Sequence, residues 1–196
     1  MTPDHMRTLR GPLLLRSEGE QGSTFDQRLL ESGADHEWQH ADPWRVLRIQ
    51  GEFVAGFDAL SKLPKAVTVF GSARTTPEDA SYQLGVEVGR KLAEHSYAVI
   101  TGGGPGIMEA ANRGAHDARA PSVGLNIILP HEQLPNAYVT PGLSFQFHYF
   151  ALRKMHFLMR ARVITVFPGG FGTLDEMFEA LTLIQTQRMK PVPFLL

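Results

Sequence analysis

The sequence contains no cysteine. It therefore excludes disulfide bonds, zinc sites with thiolate ligands, iron–sulfur clusters and a cysteine nucleophile, and it fits a reducing compartment. The chain also lacks an apolar stretch near the ~20 residues that a membrane-spanning helix needs. Its early apolar piece, Leu13-Leu14-Leu15, is too short for the core of a signal peptide. We expect a cytoplasmic protein with no membrane partner.

An excess of charge of either sign is missing too. With 19 Lys and Arg against 20 Asp and Glu, the formal net charge at pH 7 is −1. No overall field would attract nucleic acid or an anionic membrane. What is present, 43% hydrophobic residues over 196 positions, suits a globular protein of ordinary size. We expect an enzyme or a binding protein without a nucleic-acid partner.

The first 64 residues differ in pattern from the rest. Residues 1–22 are predicted to form a loose tail, and a short helix is predicted over Ser23–Ser32. Asp42-Pro43 then has the residue types of a helix N-cap and first helical position. An apolar stripe follows at intervals of three and four residues: Val46, Ile49, Phe53, Phe57 and Leu60. Such a stripe packs on a partner, which is the main domain in the favoured interpretation and a second subunit in the alternative. We assign 1–64 to a tail and helical extension.

From Ala66 onward, short apolar strands alternate with helices. The predicted strands are Ala66–Phe70, Tyr97–Thr101, Ser122–Ile128, Ser144–His148, Arg162–Phe167 and Pro191–Leu196, and the predicted helices are about Thr76–His95, Ile107–Ala118, Ala151–Ala161 and Thr173–Gln187. This alternation predicts the α/β class, a Rossmann-like, doubly wound and mainly parallel sheet with helices on both faces, in a domain over 65–196. Because the chain ends inside an apolar strand, we expect the natural protein to continue past Leu196.

Glycine-rich turns follow three of these strands. They are Gly71-Ser72, Gly102-Gly103-Gly104-Pro105-Gly106 and Gly169-Gly170-Phe171-Gly172-Thr173. Ligands of such sheets bind at the carboxyl ends of the strands, where glycine lets backbone N–H groups approach an anion. Neither long turn matches the dinucleotide fingerprint or the P-loop. Tight strand–helix packing explains one such turn equally well, but two at one sheet edge favour a phosphate site, with the Thr173 hydroxyl as an extra donor.

Charged side chains flank this predicted anion site. Glu176 and Glu179 are three residues apart and share a helix face. Acids in a first turn often only complement the helix dipole, but a carboxylate beside a phosphate is unfavourable unless the chemistry needs it. Arg153-Lys154 begins another helix, and Arg is a forked donor for phosphate or carboxylate, although a solvated surface pair is the alternative. Glu109 follows the first long turn and could face the same cleft.

Three segments together carry a family resemblance. They are Gly102–Asn112 (GGGPGIMEAAN), Arg153-Lys154 and Pro168–Glu176 (PGGFGTLDE). In these motifs the chain resembles the Lonely Guy (LOG) family, formerly described as lysine decarboxylase-like, from about Ala66 to Leu196. Its first 60 residues resemble the extension of the longer bacterial members. The resemblance implies a phosphoribohydrolase that cleaves the N-glycosidic bond of cytokinin riboside 5′-monophosphates or AMP into free base and ribose 5-phosphate. It also implies a homodimer or larger homo-oligomer.

The resemblance further implies site residues. The catalytic Arg and Glu of the family fall on Arg153 and Glu176. A carboxylate can stabilise an oxocarbenium-like ribose and activate water, the role given to Glu176, while Arg153 would hold phosphate or ribose oxygens. The predicted substrate-binding and phosphate-binding residues are Ser72, Gly103, Gly104, Met108, Glu109, Lys154, Gly169, Gly170, Gly172 and Thr173.

No cofactor and no metal are expected. Pyridoxal chemistry needs a Schiff-base lysine with a cofactor cradle, and of the five lysines only Lys154 lies near the predicted cleft. His148 and His156 lack the spacing of a metal-binding motif. The alternative function is a non-catalytic carrier of a nucleotide or of molybdenum cofactor, because the fold family includes such carriers. A carrier needs the phosphate-binding turn but not the Arg153 and Glu176 pair.

Overall fold

The computed structural model describes residues 26–27, 38–128 and 134–196. The elements of this part of the chain are α1 (Trp38–Ser61), β1 (Ala66–Phe70), α2 (Ala80–Glu94), β2 (Ala98–Thr101), α3 (Ile107–Asp117), β3 (Ser122–Ile127), β4 (Ser144–Phe147), α4 (Phe150–Met159), β5 (Ala161–Val166), α5 (Phe171–Gln185) and β6 (Phe194–Leu195). The predicted tail lies outside the described residues. Of the predicted helix Ser23–Ser32 only Asp26 and Gln27 are described, and both are helical. None of the described helices has the length and apolar character to cross a bilayer.

The strands form one parallel sheet in the order β4-β3-β2-β1-β5-β6. Alternate residues of each strand point to opposite faces. In β1, Ala66 and Phe70 belong to a buried cluster that includes residues of α1, α4 and α5. Val67 and Val69 belong to a second cluster, which includes residues of α2 and α3. The helices therefore cover both faces, and the predicted Rossmann-like α/β class is confirmed.

The strand order reverses between β1 and β5. Strands β2 to β4 add to one side of β1, and β5 and β6 lie on the other. Backbone hydrogen bonds join the carboxyl ends of the two central strands: Phe167 N donates to Phe70 O at 2.8 Å, and Ser72 N donates to Pro168 O at 3.2 Å. Open parallel sheets bind ligands at such a reversal. The fold thus directs attention to the turns that follow β1 and β5.

Two helix starts differ from the predicted ones: α2, predicted from about Thr76, begins at Ala80. Asp79 is the N-cap of α2, and its carboxylate accepts a hydrogen bond from Ser81 N at 2.7 Å. The prediction that α1 starts at Asp42-Pro43 is wrong, because α1 begins at Trp38 and contains Pro43. The proline removes one backbone hydrogen bond near the start of a 24-residue helix, and packing of the later turns holds the helix together.

The apolar stripe of α1 is buried along only one edge. Leu60 is fully buried, and Ile49 and Phe53 pack on the same cluster. Val46 and Phe57 are 51% and 49% exposed. At ~100° per residue, these two side chains lie together at the opposite edge of the stripe, which explains why each stays about half exposed. The favoured interpretation, packing of this helix on the main domain, therefore holds for the inner edge.

Candidate active site

The structure brings Arg153 and Glu176 into direct contact. Arg153 lies in the first turn of α4 and Glu176 in the second turn of α5. Arg153 Nη2 donates to Glu176 Oε1 at 2.9 Å, and each side chain is only 13% exposed. Glu176 also lines a small pocket at the end of β1, together with Phe70, Lys154, Phe157, Leu158 and Glu179. The two residues predicted to be catalytic thus form one partly buried ion pair beside the strand-order reversal.

Burial dominates the electrostatics of this pair. Burial raises the pKa of Glu176 from its ordinary value of 4.5 to about 7, while the positive charge of Arg153 opposes the rise and Asp175 adds to it. Burial also lowers the pKa of Arg153, and Glu176 opposes that change. The guanidinium stays protonated, since arginine does not deprotonate in proteins. Near neutral pH, Glu176 is therefore able to take up and release a proton, as a general base must.

Aromatic rings and a glycine fix the place of the guanidinium. Its central carbon lies 5.0 Å from the ring centroid of Phe150 and 5.4 Å from that of Phe157, within the range of cation–π attraction. A Cβ on Gly102 would stand 3.8 Å from Arg153 Nη1 and 2.7 Å from the sulfur of Met108. Glycine at the end of β2 therefore leaves room for Met108 beside Arg153.

The turn after β5 presents bare backbone at the start of α5. Gly170 is the N-cap residue, and no side chain caps the helix there. A Cβ on Gly170 or Gly172 would have no neighbour within 4 Å. The first N–H groups of a helix lack intrahelical partners and carry its positive end, so this turn is able to receive an anion. Thr173 is buried, and its side chain packs against Gly169 in place of any Cβ there.

The turn after β2 is held by a buried amide network, which the sequence analysis did not predict. Asn112 Oδ1 accepts from the Thr101 hydroxyl at 2.6 Å and from Asn136 Nδ2 at 3.0 Å. Asn136 Nδ2 also donates to Gly104 O at 3.0 Å, and Asn136 N donates to Gly103 O at 2.8 Å. The signal for this network was Asn112, a polar residue among small apolar residues in the quoted motif.

Gly103 serves this network with its own amide. Gly103 N donates to Thr101 Oγ1 at 2.9 Å, so its N–H group is engaged inside the protein. Its φ of +72° lies in the region that favours glycine, and a Cβ would meet the amide of Asn126 at 2.5 Å. In this structure Gly103 therefore shapes the turn. Its predicted contact with a ligand stays a prediction.

Ser72 and Glu109 link elements near the sheet edge. The Ser72 hydroxyl accepts from Arg74 N at 3.1 Å, and the Ser72 carbonyl accepts from Ile107 N at 3.0 Å. Glu109 Oε1 accepts from the Tyr82 hydroxyl at 2.8 Å. Burial, and to a smaller extent this hydrogen bond, raises the pKa of Tyr82 to about 12. The structure therefore engages Glu109 with α2 and does not pair it with Arg153.

Lys154 lies between two acids of α5. Its ammonium is 2.8 Å from Asp175 Oδ2 and 3.2 Å from Glu179 Oε2. Burial lowers the pKa of Lys154, but the hydrogen bonds to Asp175 and Glu179 outweigh burial and leave it raised. Lys154 thus ties α4 to α5 on either side of Glu176, and its predicted contact with substrate stays a prediction.

A family model described as "possible lysine decarboxylase" matches residues 108–196. The probable cytokinin riboside 5′-monophosphate phosphoribohydrolase LOGL5 of Oryza sativa subsp. japonica is 31% identical over 121 residues, which cover 59% of this chain and 48% of the relative. The chain therefore spans about half the length of the curated relative it matches.

Two solved structures resemble the chain in fold. The X-ray structure of TM1055, a structural-genomics target, superposes with a TM-score of 0.52 at 31% identity, over 61% of this chain and 70% of that one. The molybdenum cofactor binding protein of the phototrophic bacterium Rippkaea orientalis superposes with a TM-score of 0.50 at 25% identity, over 66% and 73% of the two chains. One matched relative thus has an enzyme name, and one matched structure is that of a binding protein.

Proposed function

We propose that the chain belongs to the LOG family and that it is a cytoplasmic phosphoribohydrolase. In the proposed reaction, water cleaves the N-glycosidic bond of a nucleoside 5′-monophosphate and releases a free base and ribose 5-phosphate. The proposed substrates are cytokinin riboside 5′-monophosphates, AMP, or both. The name of the rice relative supports the first of these substrates, and the uncapped N-terminus of α5, which is able to receive an anion, supports both.

The observation that carries the proposal is the Arg153–Glu176 pair beside the bare N-terminus of α5. Thr173 and Glu176 are three residues apart in α5, a rise of ~4.5 Å along the axis. A 5′-phosphate bound at Gly170 and Gly172 would therefore bring the attached ribose beside the Glu176 carboxylate. Binding energy from the phosphate would then position the bond that breaks.

The chemical step follows from the charge of these two groups. As the C1′–N bond breaks, its electron pair leaves with the base and positive charge develops on the ribose ring. The ionised carboxylate of Glu176 stabilises that charge and accepts a proton from the attacking water, whose oxygen bonds to C1′. The departing base takes up one proton and Glu176 releases the one that it received, so the carboxylate is restored and one water molecule is consumed. Arg153 holds ribose or phosphate oxygens and keeps Glu176 oriented.

Decarboxylation by Schiff-base chemistry fits these residues poorly. Formation of a Schiff base requires a neutral lysine amine. Lys154, the lysine that lines the described pocket, has its ammonium held by Asp175 and Glu179, and its pKa is raised. The environment of Lys154 therefore favours the charged form, which is not nucleophilic.

A second candidate function is a carrier of molybdenum cofactor. The superposition on the Rippkaea orientalis binding protein favours it, since that protein has the same fold at 25% identity. A carrier holds its ligand without cleaving it and gains nothing from a carboxylate with a pKa of about 7 beside an arginine. This argument favours the hydrolase.

The first prediction tests the role of Glu176. We expect Glu176→Gln to lower kcat by at least ~100-fold, because the amide neither accepts a proton from water nor carries negative charge. AMP binding should change little, since the phosphate-binding turn is untouched. The measurement is release of free base from AMP and from isopentenyladenosine monophosphate by chromatography, with AMP affinity measured by calorimetry.

Glu94→Gln is the matched control for this substitution. Glu94 forms an exposed ion pair with Arg90 on α2, and its neutralisation should leave turnover unchanged. Loss of AMP binding in Glu176→Gln with normal residual turnover would contradict the assignment. If the unaltered protein releases no base from any nucleoside monophosphate but binds a phosphorylated pterin tightly, the carrier function is correct.

We also propose that the protein is a homo-oligomer. Phe171, Leu174, Phe178 and Leu181 follow one another at helical spacing along α5, with exposures of 93%, 41%, 58% and 39%. A continuous apolar stripe of this kind is typical of a contact surface. At ~100° per residue Glu176 lies on the opposite face of α5, toward Arg153. A second copy of the chain on this stripe would therefore approach the proposed active site at the N-terminal end of α5, where Phe171 adjoins Gly170 and Gly172.

A further inference from the structure

The helix that carries Arg153 does not cap its own N-terminus. The N-cap residue of α4 is Tyr149, and its side chain makes no capping hydrogen bond. Asp26 supplies the missing acceptor from the N-terminal extension, since Asp26 Oδ2 accepts from Phe150 N at 3.3 Å. A carboxylate at this place satisfies an N–H group that lacks an intrahelical partner and complements the positive end of the helix.

A second carboxylate of the extension lies beside the same helix start. Glu52 of α1 is only 6% exposed, and both its oxygens lie 3.3 Å from His148 N. Glu52 Oε1 also pairs with His148 Nδ1 at 2.5 Å. A buried carboxylate of this kind is held by several bonds and tolerates little displacement. The segment that leads into α4 is therefore fixed by α1.

The extension contacts the far end of α4 as well. Arg160 Nε donates to Leu60 O at 2.7 Å, and Arg160 Nη2 donates to Ser61 O. Between these two ends, the imidazole of His156 packs against Phe53 and Phe57 of α1, with ring centroids 5.8 Å and 5.7 Å away. Residues before β1 thus hold both termini and the middle of α4.

Arg153 belongs to the turn that these carboxylates fix. Arg153 N donates to Tyr149 O at 3.3 Å, which is the first hydrogen bond of the helix. A change in the path of residues 148–150 would therefore move the Arg153 backbone. The Nη2–Oε1 contact of 2.9 Å with Glu176 depends on that position.

We propose that Asp26 and Glu52 are positioning residues that set Arg153 against Glu176, so that the N-terminal extension forms part of the catalytic apparatus. The inference rests on the proposed phosphoribohydrolase function for its kinetic consequence. The capping of α4 by the extension is measurable without substrate.

The experiment uses the full chain with AMP as substrate. We expect Asp26→Ala and Glu52→Ala each to lower kcat about tenfold while KM changes less than about twofold, since a misplacement of ~1 Å in a catalytic group can cost ~100-fold in rate. Asp26→Asn should restore kcat, because Asn caps a helix about as well as Asp. Asp58→Ala is the control: Asp58 is an exposed acid of α1, and kcat should not change.

The pH profile separates positioning from a general loss of folded protein. Arg153 lowers the pKa of Glu176, so an Arg153 that moves away should shift the rising limb of kcat/KM to higher pH in both alanine variants. Partial unfolding would lower the rate at every pH and leave the limb in place. Unchanged kcat in both alanine variants, an unchanged limb, or a loss of rate that Asp26→Asn shares with Asp26→Ala would overturn the inference.

Hydrogen exchange keeps the inference distinct from the proposed function. Exchange of the Phe150 amide should be faster in Asp26→Ala than in the unaltered protein and in Asp58→Ala. If the unaltered protein cleaves no nucleotide but the Phe150 amide exchanges faster in Asp26→Ala, the proposed function fails and the capping of α4 stands. If the exchange rate does not change, Asp26 does not cap α4 and the inference fails whatever the activity.

Discussion

At the scale of single residues, burial and pairing compete for the charge of each ionisable group, and the outcome differs between neighbours. Glu176 contacts Arg153 and is also near Lys154, but it has little solvent, so burial prevails and its pKa rises to about 7. Lys154, on the neighbouring helix α4, pairs with two carboxylates of α5, so pairing prevails and its pKa also rises. The same helix pair therefore gives a carboxyl group that titrates near neutral pH and an amine that stays charged, a division suited to acid–base chemistry on the carboxyl group.

The raised pKa predicts how activity depends on pH. Because the proposed mechanism needs ionised Glu176, kcat/KM should rise with pH, about tenfold per unit below pH 7, and level off above about pH 7. The measurement is the initial rate of base release from AMP between about pH 5 and about pH 9 at constant ionic strength. Lys154→Ala should move the rising limb to higher pH, since Lys154 lowers the pKa of Glu176. A rate that falls as pH rises through 7 would mean that the protonated carboxyl group is the active form.

At the scale of elements, local patterns predicted the parts of the fold that local chemistry determines. Each described strand is an apolar or β-rich run that ends near a turn residue, and α2 lies within its predicted range although it begins at Ala80, after its N-cap Asp79. The start of α1 was predicted wrongly, because Pro43 lies inside a helix whose later turns pack on the core. Prediction of an element from its own residues fails where a contact outside the segment supplies the stabilising free energy.

The same distinction separates the site residues that were predicted from the contacts that were not. Arg153, Glu176 and the α5 turn were identified from motifs in which residue type and spacing carry the chemistry. The ion pairs of Lys154, the amide network of Asn112 and the cap that Asp26 gives to α4 were not predicted. Each of these joins residues distant in sequence, and no periodicity or spacing along the chain reports such a contact.

The packing of α1 on α4 predicts the effect of one added methyl group. A Cβ on Gly56 would overlap the imidazole of His156, which is fully buried and cannot move aside. We expect Gly56→Ala to lower the free energy of unfolding by ~1–3 kcal/mol, the usual effect of overpacking a core. Urea denaturation followed by circular dichroism measures this change.

Gly172→Ala is the matched control for the added methyl group. It places a Cβ where nothing lies within 4 Å, so the free energy of unfolding should not fall. Equal stability of Gly56→Ala and the unaltered protein would show that α1 and α4 are farther apart in solution than in this structure.

At the scale of the whole molecule, the two layers of helices differ in how much apolar surface they expose. The layer of α1, α4 and α5 exposes Met155 at 47% and the stripe of α5, and α1 adds Trp44 at 72% and Val54 at 69%. On the layer of α2 and α3, Leu84 at 52% is the exposed large apolar residue among the described residues. The larger exposed apolar surface on the layer of α1, α4 and α5 favours association through that side, which is also the side of the Arg153–Glu176 pair.

Phe178 provides the test of that association. It lies at the middle of the α5 stripe and is 58% exposed, so Phe178→Asp should leave thermal unfolding of the subunit nearly unchanged while it buries a charge in any interface. We expect sedimentation velocity to find a dimer or larger assembly for the unaltered protein and a monomer for Phe178→Asp. Leu84→Asp, the same change on the opposite layer, should remain associated. A monomeric unaltered protein, or a Phe178→Asp variant that associates as before, would rule out the stripe as the contact. If the monomer also loses turnover while Glu176 keeps its pH profile, the second copy contributes to substrate binding beside α5 and not to the ionisation of the carboxyl group.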